Sequence, residues 1–180
     1  TLQQKGNSGS DPLSFQLEPL VPAEWGFFGD GKIHVICSSH QDIAWMDTPQ
    51  ACRHERVFDI VLPALDTIDN NPAFKFEMEQ TLNLMEAVKD APKSRDRIIE
   101  AYKSGNFEWG ATFTQPYEGL ESGEQLVRQT YLGRKGIKDN LPGMDARVAY
   151  NIDVPGRSLQ VPQLYSKADI DFLFISKSNK

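Results

Sequence analysis

The chain has 180 residues, of which 39% are apolar and 24% charged, and its formal net charge is −6. That length suffices for one domain with a real core, and no run of the sequence approaches the roughly 18 apolar residues of a membrane span. The excess of acid argues against nucleic acid as the main partner, because a phosphate-binding surface concentrates Lys and Arg. Two cysteines, Cys37 and Cys52, make no disulfide framework.

The first ten residues are polar, Gly/Ser-rich and patternless, which predicts a disordered tail. An irregular lead-in follows to residue 30, with Trp25, Phe27 and Phe28 placed to plug a gap in the body. Neither stretch carries a charged-then-apolar leader; an export signal is either absent or already removed, and the compartment stays open. The body is expected over 31–180. A β-branched run predicts a buried strand at 32–38, with Cys37 as a small apolar filler. Pro49 suits a first helical turn, and Val57, Ile60, Val61, Ala64, Leu65 and Ile68 recur at helical spacing, predicting a helix over 49–68. Arg53, His54, Glu55 and Arg56 form its expected solvated face. A short strand is predicted at 74–78, a helix around 82–88, another over 94–103 and a strand at 107–113. Phe107, Trp109 and Phe113 are expected in the core. Ser122 and Gln125 stand at capping-box spacing and open a long helix to about 138. A strand at 147–152, a short helix at 158–166 and a strand at 171–176 complete the series.

Strands alternating with helices predict a parallel sheet with right-handed crossovers. Five such strands are compatible with an open sheet, with most of a closed barrel, or with part of one. The sequence ends four residues after the fifth strand and supplies no helix to cover it, so the polypeptide is expected to be cut short.

Chemistry in parallel α/β proteins gathers at the carboxyl ends of strands. There the sequence places His40-Gln41-Asp42, an imidazole and a carboxylate able to aim at one point, and Trp45 as a pocket wall. Strand four ends at Asp153, in the turn Asp153-Val154-Pro155-Gly156-Arg157-Ser158, on the same rim. His40, Asp42 and Asp153 make an N, O, O donor set that leaves positions for substrate oxygens on a metal. Each has a plainer reading: His40 as a strand-end hydrogen-bonding group, Asp153 as a helix N-cap, Trp45 as packing. Glu77 and Glu79 alternate with Phe76 and Met78; if their side is a barrel interior, one of them is a candidate partner for a ligand, and a solvated or salt-bridged role is an equal alternative. Tyr117 and Glu118 lie in a loop that could face the site, although loops are polar in any case and neither is assigned a role.

The ordered segments resemble glycoside hydrolase family 38, the class II α-mannosidases. The resemblance rests on His40-x-Asp42-x-x-Trp45, on 74–80, on Gly105-Asn106-Phe107-Glu108-Trp109-Gly110, and on Gln115-Pro116 followed by Glu121-Ser122-Gly123-Glu124 and Arg128-Gln129. It continues through Ile152-Asp153-x-x-Gly156-x-Ser158, Pro162-Gln163-Leu164 and the last strand, covering about 32–177.

The resemblance implies a seven-stranded β/α barrel, here incomplete. It implies a divalent metal, most often zinc, held by His40, Asp42 and Asp153, with Asp153 also the catalytic nucleophile and Trp45 a platform for mannose. The implied reaction is hydrolysis of α-linked mannose with retention of configuration, and the implied partner is an α-mannoside glycan. The chain departs from the family's common Asp-Pro-Phe-Gly-His-Ser at Val154, Pro155 and Arg157, and it carries Lys177 where an arginine is frequent. The family's remaining metal-ligand histidine and its general acid come later than these 180 residues, and neither His34 nor His54 is a convincing substitute. Weak ion binding and little turnover are therefore expected of this stretch alone. The competing readings are a metal-dependent carbohydrate deacetylase or another glycosidase on a similar barrel, and a non-catalytic, truncated carbohydrate-binding relative. Deacetylases typically add an H-x-x-x-H pair that is absent here. An open last strand would invite self-association or a missing C-terminal part.

Overall fold

The computed structural model describes residues 35–176. The tail, most of the lead-in, His34 and Lys177 lie outside the described residues.

Five parallel strands and six α-helices alternate in the expected order. Strands β1 (Cys37–Ser39), β2 (Phe76–Met78) and β3 (Phe107–Trp109) pair side by side, with Ser39, Met78 and Trp109 in register. Strands β4 (Val148–Ile152) and β5 (Phe172–Ser176) pair with Ile152 opposite Ser176. The two ladders meet where the Ala111 amide, just past β3, donates to the Val148 carbonyl at 2.8 Å. The α/β class with parallel strands is thus as predicted. Strands β1, β2 and β3 are only three residues long.

Helices form where the sequence caps them. Thr48 accepts from the Ala51 amide at the start of α1 (Pro49–His54), and Pro49 occupies the first turn, where its missing N–H costs nothing. Ser122 and Gln125 close a full capping box on α5 (Gly123–Asn140). Helix α3 (Thr81–Asp90) follows β2, α4 (Ser94–Lys103) follows as predicted, and α6 (Val161–Lys167) starts three residues later than the pattern suggested.

The predicted helix over 49–68 is continuous but not uniform. Between α1 and α2 (Leu62–Asn70) lies a π-helical stretch, Glu55–Val61, in which the Leu62 amide bonds the Val57 carbonyl five residues back. Pro63 accounts for it: the ring lacks a donor and crowds the carbonyl four residues before, so the preceding turn widens. The widened turn carries Arg56, Val57 and Val61 to the buried side together. Arg56 was expected in solvent; it is 1% exposed. His54 is exposed, as expected.

The core lies between sheet and helices, built from Val57, Val61, Leu65, Met78, Leu84, Ile98, Phe107, Trp109, Ile137 and Leu141. Phe107 and Trp109 are buried there, while Phe113 is only half-buried. Cys37 was expected to be buried and is exposed. Among the described residues it stands on an edge strand, with β2 as its one neighbour. Among the described residues no helix is long and apolar enough to cross a membrane.

Candidate functional site

Parallel pairing delivers His40, Glu79 and Gly110 side by side, each being the residue that follows the last position of its strand, and Asp153 follows the last position of β4 in the second ladder. His40 Nδ1 lies 2.8 Å from Glu79 Oε2. Glu79 is 1% exposed, so its carboxylate is a fixed acceptor. An Nδ1 proton donated to it leaves the Nε2 lone pair free to bind an ion, the usual arrangement behind a metal-bound histidine. Of the two alternating glutamates, Glu79 is the one that meets His40.

The same Glu79 oxygen accepts from Gln115 Nε2 at 2.5 Å, and Gln115 Oε1 accepts from the Ile152 amide at 2.5 Å. One amide side chain thus spans the gap between β2 and β4 and joins His40 to the residue before Asp153. Close backbone approach makes room for this: a Cβ on Gly110 would sit 2.0 Å from the Glu79 carbonyl oxygen. Gln80 adds a further tie, donating to the Gln41 carbonyl at 2.8 Å. Burial pushes the Glu79 carboxyl up; the His40 ring and the Gln115 amide pull it down, and the Asp42 charge pushes it up again.

Asp42 is exposed, but its backbone is anchored. Arg56 Nη1 donates to the Asp42 carbonyl at 2.7 Å and to the Ile43 carbonyl at 3.2 Å. Beyond this anchor Trp45 is 81% exposed, leaving its ring faces open. Asp153 is exposed at the end of β4 with φ +57°, a left-handed conformation that costs a non-glycine residue roughly 1–3 kcal/mol and clusters at functional sites. Its amide donates to the Ser176 carbonyl at 2.9 Å.

Among the described residues no three His, Cys, Asp or Glu side chains stand together as a group able to hold a metal ion. The structure therefore does not gather His40, Asp42 and Asp153 around one point; what it shows are donor types that suit a divalent ion, an imidazole backed by a buried carboxylate and two exposed carboxylates at strand ends. Sequence reasoning missed the roles of Gln115 and Arg56, and it named Glu118 as a loop residue without assigning it one. Glu118 is 5% exposed, accepting from Asn151 Nδ2 at 2.7 Å and from the Ser158 amide at 2.8 Å. A signal for it existed in the loop of the Gln115-Pro116 segment, but a glutamate in a loop carries no mark of burial.

Deeper on the same strands, Glu77 is buried and its Oε2 has no partner. Burial pushes its carboxyl up, more than nearby Ser38 and Tyr150 pull it down. A carboxyl raised on folding loses stability as pH climbs from the ordinary glutamate range through its folded value. Glu77→Gln is therefore expected to raise Tm at pH 7 and to leave Tm at pH 4 nearly unchanged, read from melting curves at the two pH values. A lowered Tm at pH 7 would contradict this account of Glu77.

The chain matches the family described as Glycosyl hydrolases family 38 N-terminal domain over residues 30–179. It is 24% identical over 148 residues to a Saccharomyces cerevisiae protein named Alpha-mannosidase, covering 81% of this chain and 14% of that one. The crystal structure of an alpha-mannosidase from Enterococcus faecalis superposes with a TM-score of 0.69 at 25% identity, over 78% of this chain and 16% of that chain. A 4-alpha-glucanotransferase from Thermococcus litoralis shares the fold at 16% identity, with a TM-score of 0.51 over 67% of this chain and 19% of that chain. The chain therefore spans less than a fifth of the length of each of these relatives.

Proposed function

Because the chain belongs to the glycosyl hydrolase family 38 N-terminal domains, we propose that it supplies the nucleophile and the first metal ligands of a zinc-dependent, retaining α-mannosidase. Its five strands are then part of a seven-stranded β/α barrel. His40, Asp42 and Asp153 are the ligands, Asp153 is also the nucleophile, and Trp45 receives one face of the mannose ring. The observation that carries this reading is the relay from His40 through Glu79 and Gln115 to the Ile152 amide, which ties the imidazole to the strand end that bears Asp153.

The chemistry follows from the residue types. When bound, a divalent ion supplies positive charge that holds vicinal hydroxyls of the sugar. Trp45 covers the apolar face of the ring and excludes water there. The Asp153 carboxylate attacks the anomeric carbon, the bond to the leaving oxygen breaks, and a glycosyl ester forms. Water then attacks the same carbon from the face the leaving group vacated, which restores the starting configuration. The leaving oxygen needs a proton from a general acid, a role assigned to none of the described residues. Three donors and one carboxylate nucleophile make an incomplete machine, so we expect weak ion binding and little turnover from these 180 residues without a further acid.

The test is α-mannoside hydrolysis by the native gene product, before and after chelation, with the first-formed anomer identified by proton NMR. Loss of activity on chelation, recovery with zinc and initial release of α-mannose are expected. Chelator-insensitive turnover, or β-mannose as the first product, would overturn the proposal.

A further inference from the structure

We propose that Arg157 and Glu118, clasped through Asn151, are positioning residues that hold Asp153 in its left-handed conformation and so aim its carboxylate; this rests on the role proposed above for Asp153. Residues 154–158 have no regular secondary structure, so the strand and helix ladders do not account for their shape. Arg157 accounts for it. Its Nη1 donates to Asn151 Oδ1 at 2.8 Å, to the Val154 carbonyl at 2.6 Å and to the Gly156 carbonyl at 2.8 Å, while Nη2 reaches the Asn151 carbonyl at 3.3 Å. One guanidinium thus gathers acceptors from both sides of Asp153 into a single loop.

The clasp has a buried anchor. Asn151 is 0% exposed, and its Nδ2 donates to Glu118 Oε1 while its Oδ1 accepts from Arg157. The other Glu118 oxygen accepts from the Ser158 amide, at the far end of the turn. The two loops are in van der Waals register as well: Gly156 has φ +82°, and a Cβ built on it would lie 3.4 Å from the Gly119 amide nitrogen. A planar fork with several fixed donors suits this task; an ammonium on a flexible stem does not.

The test compares the native gene product with its Arg157→Lys and Glu118→Gln variants by crystallography, zinc titration and steady-state kinetics. Arg157→Lys keeps the charge but cannot span the four acceptors. Glu118→Gln is isosteric and turns one acceptor into a donor facing another donor, so it keeps the test open if the lysine variant fails to fold. In both variants Asp153 is expected to leave the left-handed region or to split between conformations. Zinc affinity should fall by about tenfold, and kcat by about 10–100-fold with KM changed less than about threefold. The proposal is overturned if Asp153 keeps φ near its parent value in both variants, or if kcat and zinc affinity stay within about twofold of the parent. A parent that binds no zinc and cleaves no mannoside would instead sink the proposed function, and the Asp153 backbone would still decide the clasp.

Discussion

In the native gene product, Asp153→Asn is expected to lower kcat for α-mannoside hydrolysis on the order of 10⁶-fold, the scale seen when a nucleophile is removed from a working constellation. The loss is chemical: the amide has no negative charge to form the ester and is a poor ligand for a divalent ion. The fold should survive. Asn accepts φ near +57° at least as readily as Asp, and the Asp153 amide contributes its bond to Ser176 through the backbone. Melting temperature should therefore stay close to the parent value while turnover collapses. A variant that retains more than about a tenth of the parent kcat would remove Asp153 from the reaction.

Arg56→Met is expected to be strongly destabilising. Arg56 is buried, and its Nε and Nη2 form a two-pronged pair with the Glu86 carboxylate at 2.8 and 2.9 Å. Removing the cation strands the buried Glu86 charge, at a cost of about 3–5 kcal/mol. That corresponds to a fall in Tm on the order of 10 °C for a chain of this size. The double variant Arg56→Met with Glu86→Leu should recover most of the stability, because an apolar pair of similar volume serves the core as well or better. It should not restore the Asp42 and Ile43 carbonyl anchors. Faster amide exchange across 42–46 is therefore expected to persist in the double variant. A drop of less than about 1 kcal/mol for the single variant would contradict this account of the pair.

Much of the fold was legible because its signals are local. The capping box at Ser122 and Gln125 and the stripe of Ile98, Ile99 and Tyr102 in α4 are short-range patterns that tertiary packing did not override. Arg56 was not legible: only the π-helical turn before Pro63 rotates it inward, and periodicity read at 3.6 residues per turn leaves it in solvent. Cys37 was misjudged for the opposite reason. A β-branched run looks buried, yet β1 is an edge strand. At the site, residue type and strand-end position singled out His40, Asp42 and Asp153, and one of the two alternating glutamates did prove to be the partner of His40. Gln115, Glu118 and Asn151 carry no such mark. Their importance lies in which distant groups they touch, 33 to 40 positions apart in the chain for the Glu118 contacts and 36 and 37 for those of Gln115.

The measurement that bears most directly on the proposed centre is zinc-edge anomalous scattering from zinc-soaked crystals of the native gene product. The account predicts one strong peak at the strand ends, about 2.0–2.2 Å from His40 Nε2 and from carboxylate oxygens of Asp42 and Asp153. A peak elsewhere with these three side chains turned away from it, or no peak at millimolar zinc, would contradict it.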